Sequence, residues 1–171
     1  RTCFIEIMKL MGGKIKTVIN NQTKSSEKIG SIIVTSSNLK GIKVPKHLIT
    51  SAIDELPLVF LAGACAEGST IIRNAEELRY KESDRINSMI KILNAFSIKT
   101  KEFNDGANID GGTITGGIID SFGDHRIAMA ALVASCVSEK PIIVENCNNI
   151  NTSFPTFKSI MNLIGMNIRE Y

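Results

Sequence analysis

A chain of 171 residues with 43% hydrophobic and 22% charged side chains is long and apolar enough to close one ordinary globular core. Its net charge of +3 is too small for the basic stripe of a nucleic-acid binder, although it suits small anionic substrates. The longest apolar run, residues 56–66, falls far short of a membrane span, so no membrane partner is expected.

Aromatic residues are scarce and Trp is absent, which predicts an aliphatic core of Ile, Leu, Val and Ala. Cys3, Cys65, Cys136 and Cys147 form no C-x-x-C pair and show no metal-ligand spacing. Cys65 and Cys136 lie inside apolar runs, which predicts buried, reduced thiols and a cytoplasmic location. The opening Arg-Thr-Cys-Phe, without Met and already in a helical pattern, reads as the start of a fragment or excised domain.

In chain order, Phe4, Ile7, Met8 and Met11 predict a helix over 1–11 that Gly12-Gly13 stops. Residues 14–20 alternate as a half-exposed strand, 21–27 are polar and turn-like, and 29–35 read as a second strand. A loop follows through Gly41 to Pro45. Helices are then predicted at 55–66 and 83–96, leading into strands at 70–73 and 98–103. Short strands fit 107–110 and 113–115; a helix at 125–138, a strand at 142–145, a helix at 156–164 and a strand at 166–170 complete the chain.

A weak internal repeat accompanies these elements. In the stretches 7–15, 90–98 and 160–168, a Leu is followed five residues later by Ile, at a helix end and a strand start. Asp54 and Asp124 each precede an apolar, Ala-bearing helix. The expected fold is therefore an α/β domain made of copies of one helix–strand unit, with equivalent helix N-termini on one side.

Polar residues cluster at three of those helix starts: Asp54-Glu-Leu-Pro57, Arg79-Tyr-Lys-Glu-Ser-Asp-Arg85 and Asp124-His-Arg126. Unpaired N–H groups and the helix dipole favour anions there, and Asp54, Ser83 and Asp124 suit helix caps. Arg85 and Arg126 are out of place, because a cation in the first turn opposes the dipole. A bound phosphate or carboxylate in front of both helices would account for them. Taken singly, each has a plainer reading. Arg85 can pair with Glu82 three residues earlier, His125 can be a surface histidine, and Asp54 can be only a cap. His47 reads as solvated, and Asn20-Asn21 and Asn148-Asn149 as turns.

Two of these segments carry a resemblance. Arg79-Tyr-Lys-Glu-Ser-Asp-Arg-Ile86 is similar to the R-x-K-E-[ST]-D-R signature of EPSP synthases, and Gly123-Asp-His-Arg-Ile-Ala-Met-Ala130 resembles their D-H-R-[IM]-A-M signature. Asp54 before Glu-Leu-Pro-Leu and Thr152-Ser-Phe-Pro155 match further family positions, so the likeness runs along essentially the whole chain. The resemblance implies a two-domain enolpyruvyl transferase fold, each domain three βαβαββ units. Residues 1–171 would be a single domain from the C-terminal portion, with the N-terminal domain absent.

It also implies a reaction, the transfer of the enolpyruvyl group of phosphoenolpyruvate (PEP) to the 5-hydroxyl of shikimate 3-phosphate. In it Asp54 would take the hydroxyl proton, Glu82 would move a proton at C3 of PEP, and Asp54 and Lys81 would contact shikimate 3-phosphate. Arg85, Arg126 and His125 would hold PEP. EPSP synthases commonly carry Lys two residues before the Phe-Pro of the last turn; Thr152 stands there instead and is a candidate PEP contact. No metal or organic cofactor is implied, and the full-length protein would be a cytoplasmic monomer. Two alternatives remain at this point. One is the sister transferase acting on UDP-N-acetylglucosamine, which lacks the first signature; the other is a non-catalytic anion-binding α/β module.

Overall fold

The computed structural model describes residues 2–20 and 29–170. Helix α1 (Cys3–Leu10) stops at Gly12, whose φ of 91° takes the left-handed conformation that glycine adopts without penalty. The chain turns there into β1 (Lys14–Asn20), which pairs antiparallel with β2 (Ile29–Thr35), Lys14 opposite Thr35 and Asn20 opposite Ile29. The turn expected at 21–27 lies outside the described residues. Beyond β2, the chain makes isolated parallel bridges, Lys40 to Glu67 and Lys43 to Ile71.

Helix α2 (Lys46–Ser51) and a 3-10 turn (Ile53–Glu55) then deliver the chain to α3 (Leu56–Ala64). Eight of the nine α3 residues are buried, so this helix is apolar all round and forms the centre of the core. It packs against α1, α4 (Arg85–Ala95) and α5 (His125–Ala134). Strand β3 (Ser69–Ile72) lies against it at Gly63, where a Cβ would stand 2.9 Å from the Thr70 Cβ. Only glycine admits that approach.

A second 3-10 turn (Glu76–Tyr80) precedes α4, and β4 (Thr100–Phe103) and β5 (Gly106–Asp110) follow it. These strands form an antiparallel sheet in the order β3-β5-β4. Strand β6 (Gly117–Asp120) leads into α5 and then into β7 (Ile142–Glu145), parallel to β6. The chain closes with α6 (Ile150–Ser153) and α7 (Phe157–Leu163).

Two of the three helix–strand copies expected from sequence are present as topology, those at 7–15 and 90–98; the copy at 160–168 has its helix and no strand. Helix α4 with the β4–β5 hairpin repeats α1 with β1–β2, and the bridged segment 40–43, α3 and β3 repeat β6, α5 and β7. Four expectations need correction. Residues 113–115 are not a strand, because Ile114 is drawn into the core; β6 begins just beyond, hidden in the sequence by Gly116 and Gly117 at positive φ. The helix expected to 138 ends at Ala134. Residues 166–170 form no strand, and Asn162 instead bonds the Ile168 backbone through both amide atoms. Cys65 and Cys136 are exposed, each just past the end of an apolar helix.

Candidate active site

The starts of α3, α4 and α5 come together, and a network of charges joins them. Asp124 caps α5, its Oδ1 accepting from the Arg126 amide at 2.9 Å. Phe122 and Gly123, at φ of 56° and 69°, make the left-handed turn that delivers it. Asp84, not Ser83, caps α4 by accepting from the Asn87 amide. The Ser83 hydroxyl reaches across to donate to Asp124 Oδ2 at 3.1 Å. Asp54 lies in the 3-10 turn before α3 and makes no capping bond; it faces the other two helices instead.

Arg85 is the centre of the network. Its side chain is 1% exposed, and Nε donates to Asp124 Oδ2 at 2.8 Å while Nη1 stands 3.3 Å from Asp54 Oδ1. Nη2 donates to Glu82 Oε2, so the local pairing with the residue three earlier also forms. The negative charge that offsets the helix dipole at Arg85 thus comes from three carboxylates of the chain itself. The plainer reading of Arg85, its pairing with Glu82, is thus realised, and no bound anion is needed to account for this arginine.

Arg126 is placed differently. Its side chain is 31% exposed, Nη1 donates to the Asp54 carbonyl at 3.0 Å, and Nη2 lies 3.7 Å from Asp54 Oδ2. Lys81 stands 3.8 Å from Asp54 Oδ1 and 2.6 Å from Glu77. The bond to Glu77, reinforced by the charge of Asp54, raises the Lys81 pKa and keeps it cationic. Burial alone would push the Asp124 pKa up. Its bonds to Arg85, the Arg126 amide and Ser83 outweigh that and hold it below the ordinary carboxylate range.

Asp54, Lys81, Glu82, Arg85 and Arg126 therefore form one connected cluster. His125 opens α5, half-buried beside them in sequence. Thr152 is exposed on α6 and donates to the Asn149 carbonyl at 2.9 Å, so it takes no part in the charge network. Asn149, expected to be only a turn residue, donates its side-chain amide to the Gly123 carbonyl and ties α6 to the loop before α5. Sequence reasoning also missed Asp124 as the partner of Arg85. Nothing local signals a contact across 39 positions.

Such an arrangement offers cations and helix N-termini to an anion beside carboxylates able to move protons. A model of the EPSP synthase (3-phosphoshikimate 1-carboxyvinyltransferase) family matches residues 1–161, nearly the whole chain. The chain belongs to that family.

Among curated members, the 3-phosphoshikimate 1-carboxyvinyltransferase of Legionella pneumophila (strain Corby) is 43% identical over all 171 residues. Its counterpart in Coxiella burnetii (strain RSA 493 / Nine Mile phase I) is 41% identical over 165 residues, covering 96% of this chain and 37% of its own length. The solved EPSP synthase of Acinetobacter baumannii superposes on 99% of this chain with a TM-score of 0.93 at 40% identity, over 40% of its own length. The enolpyruvyl transferase NikO of Streptomyces tendae covers 98% of the chain, and 36% of NikO, with a TM-score of 0.66 at 18% identity; it speaks for the enolpyruvyl transferase fold alone. The chain spans 39% of the length of the Legionella relative.

Proposed function

We propose that the protein to which this chain belongs transfers the enolpyruvyl group of PEP to the 5-hydroxyl of shikimate 3-phosphate, releasing EPSP and phosphate on the route to chorismate and aromatic amino acids. The chain supplies the C-terminal domain, and an N-terminal domain supplies the facing half of the site. The observation that carries this reading is the convergence of Asp54, Lys81, Glu82, Arg85 and Arg126 at three adjoining helix starts in a chain of this family.

PEP is an enol phosphate whose C2 resists attack until its methylene carbon gains a proton, which leaves cationic character at C2. An acid near C3 and a base at the attacking hydroxyl are therefore both needed. Asp54 takes the hydroxyl proton as oxygen bonds to C2, and Glu82 delivers the proton to C3. The tetrahedral adduct then loses phosphate from C2 and the proton from C3, which restores the double bond. Arg126 faces the anionic groups of PEP with a partly open guanidinium, Arg85 shares Asp54 with it, and His125 and Thr152 flank them. Lys81 meets the phosphate of shikimate 3-phosphate. Metal and organic cofactor have no part in these steps.

A non-catalytic anion module could keep Asp54 and Glu82 simply as partners of Arg85, so turnover rather than binding is the test. The full-length protein, given both substrates, should release phosphate and form EPSP. Tight binding of either substrate without product would remove the reading.

A further inference from the structure

Arg79 contacts none of the residues assigned to substrate, yet its guanidinium makes more bonds than any of theirs except Arg85. Nε donates to the Asn104 carbonyl at 2.6 Å, and Nη2 to the Phe103 carbonyl and to Glu102 Oε1, both at 2.8 Å. Nη1 donates to Asp84 Oδ2 at 2.7 Å. Three of these acceptors belong to the end of β4 and its turn into β5, and the fourth is the cap of α4.

That turn is itself fixed from the opposite side. The Asp105 carboxylate accepts from the Arg73 Nε and the Asn74 amide, both at 2.7 Å, and its carbonyl accepts from the Ala75 amide at 2.8 Å. Asn74 takes a left-handed φ of 61° to make this possible. The turn is thus a fixed base, and Arg79 is the strut that rises from it.

What the strut supports are residues 81–84, which belong to no helix or strand. Without a backbone ladder, side chains must set their position. The Arg79–Asp84 pair closes this segment at its two ends, and Lys81 and Glu82 project from between them. The other oxygen of Asp84 holds the first turn of α4, so one carboxylate relays the strut to the helix.

We propose that Arg79 is a positioning residue, closing the 81–84 loop onto the β4–β5 turn and so setting where Lys81 and Glu82 stand toward substrate. The inference rests on the reading above for what Lys81 and Glu82 do. Only a planar fork reaches four acceptors lying in different directions; lysine keeps the charge and loses the geometry. Arg85 has in addition an anchor outside this loop, Asp124 of another helix start.

The test is Arg79→Lys in the full-length protein, with steady-state kinetics for both substrates, thermal unfolding, and NMR amide order parameters for residues 81–84. The expected result is a kcat roughly a hundredfold lower, the scale on which an ångström of misplacement acts. KM for shikimate 3-phosphate should rise, KM for PEP should stay near wild type, and Tm should hold. A second variant, Glu102→Gln, weakens the same strut and should shift the same parameters less, should Arg79→Lys fold poorly. Unchanged kinetics in a folded Arg79→Lys protein, or losses in all parameters that track Tm, would overturn the proposal. Absence of transfer activity in the wild type would overturn the functional reading instead. The order parameters then decide. A fall confined to 81–84 upholds the strut, and unchanged values refute it.

Discussion

Arg85 and Asp124, 39 positions apart, form an ion pair at 2.8 Å with side chains 1% and 0% exposed. Removing one partner of such a pair strands a buried charge, which typically costs about 3–5 kcal/mol. Asp124→Asn keeps the shape and most of the capping ability, and Glu82 and Asp54 remain near Arg85, so the lower end applies. Chemical unfolding of wild type and variant at neutral pH measures the difference directly.

The same pair predicts a pH dependence. The folded-state pKa of Asp124 lies below its unfolded value of about 3.9, so its contribution is fully present above that value. It is lost as pH falls through the folded-state pKa. The stability gap between wild type and Asp124→Asn should therefore be widest at neutral pH and narrow in acid. A gap that stays constant down to the acid transition would show that charge is not what Asp124 contributes.

Arg126 should govern PEP affinity. Its side chain is 31% exposed, and its bonds among the described residues are one carbonyl contact and one long ion pair. A charge-assisted bond to an anion contributes about 1.5–3 kcal/mol, so Arg126→Ala should weaken PEP binding about tenfold or more. Shikimate 3-phosphate affinity should change far less. Titration calorimetry on the full-length protein distinguishes the two, and equal losses for both ligands would count against the assignment.

Asp54 and Glu82 should affect rate more than binding. Asp54→Asn and Glu82→Gln preserve shape and hydrogen bonding to Arg85 while removing proton transfer, which typically contributes about 10²–10⁴-fold. Near-normal turnover in either variant would take that residue out of the proton-moving role.

Much of this was legible in the sequence because it is local. Periodicity marked α4 and apolar runs marked α3 and α5, Asp124 caps as its position suggested, and the two signature segments lie where helices begin. The Glu82–Arg85 pair is a three-residue contact on one helix start. What stayed hidden depends on contacts remote in sequence. Arg85 meets Asp54 and Asp124 across 31 and 39 positions, and Arg79 meets the Asn104 carbonyl of the β4–β5 turn across 25. Strand β6 is hidden because paired glycines break the alternation that marks a strand, and 166–170 has a strand's pattern without a ladder partner among the described residues. Cysteine burial failed for a related reason. An apolar run reports a helix's average environment, not which way its last turn faces.

The isolated 171-residue chain should fold cooperatively and yet make no EPSP. Its core is closed around α3, with Phe60, Leu56, Ile86 and Phe96 fully buried, so the helical centre does not wait for a partner. The site is another matter. Asp54, Lys81 and Arg126 keep side-chain exposures of 25%, 23% and 31%, so water screens their charges and leaves substrate unenclosed. The β1–β2 ribbon is more exposed still, with Ile29, Ile32, Ile33 and Val34 each more than half open to solvent. A lone two-stranded ribbon of this kind is marginal in water and its apolar surface invites self-association. Light scattering of the purified chain should therefore show concentration-dependent association, which Ile32→Lys with Val34→Lys should reduce while leaving the melting transition in place. Adding the remainder of the full-length protein as a separate polypeptide should restore phosphate release if the missing wall of the site is what the chain lacks. Turnover by the purified chain alone, with both substrates, would sink the two-domain account and with it the division of the active site across two halves.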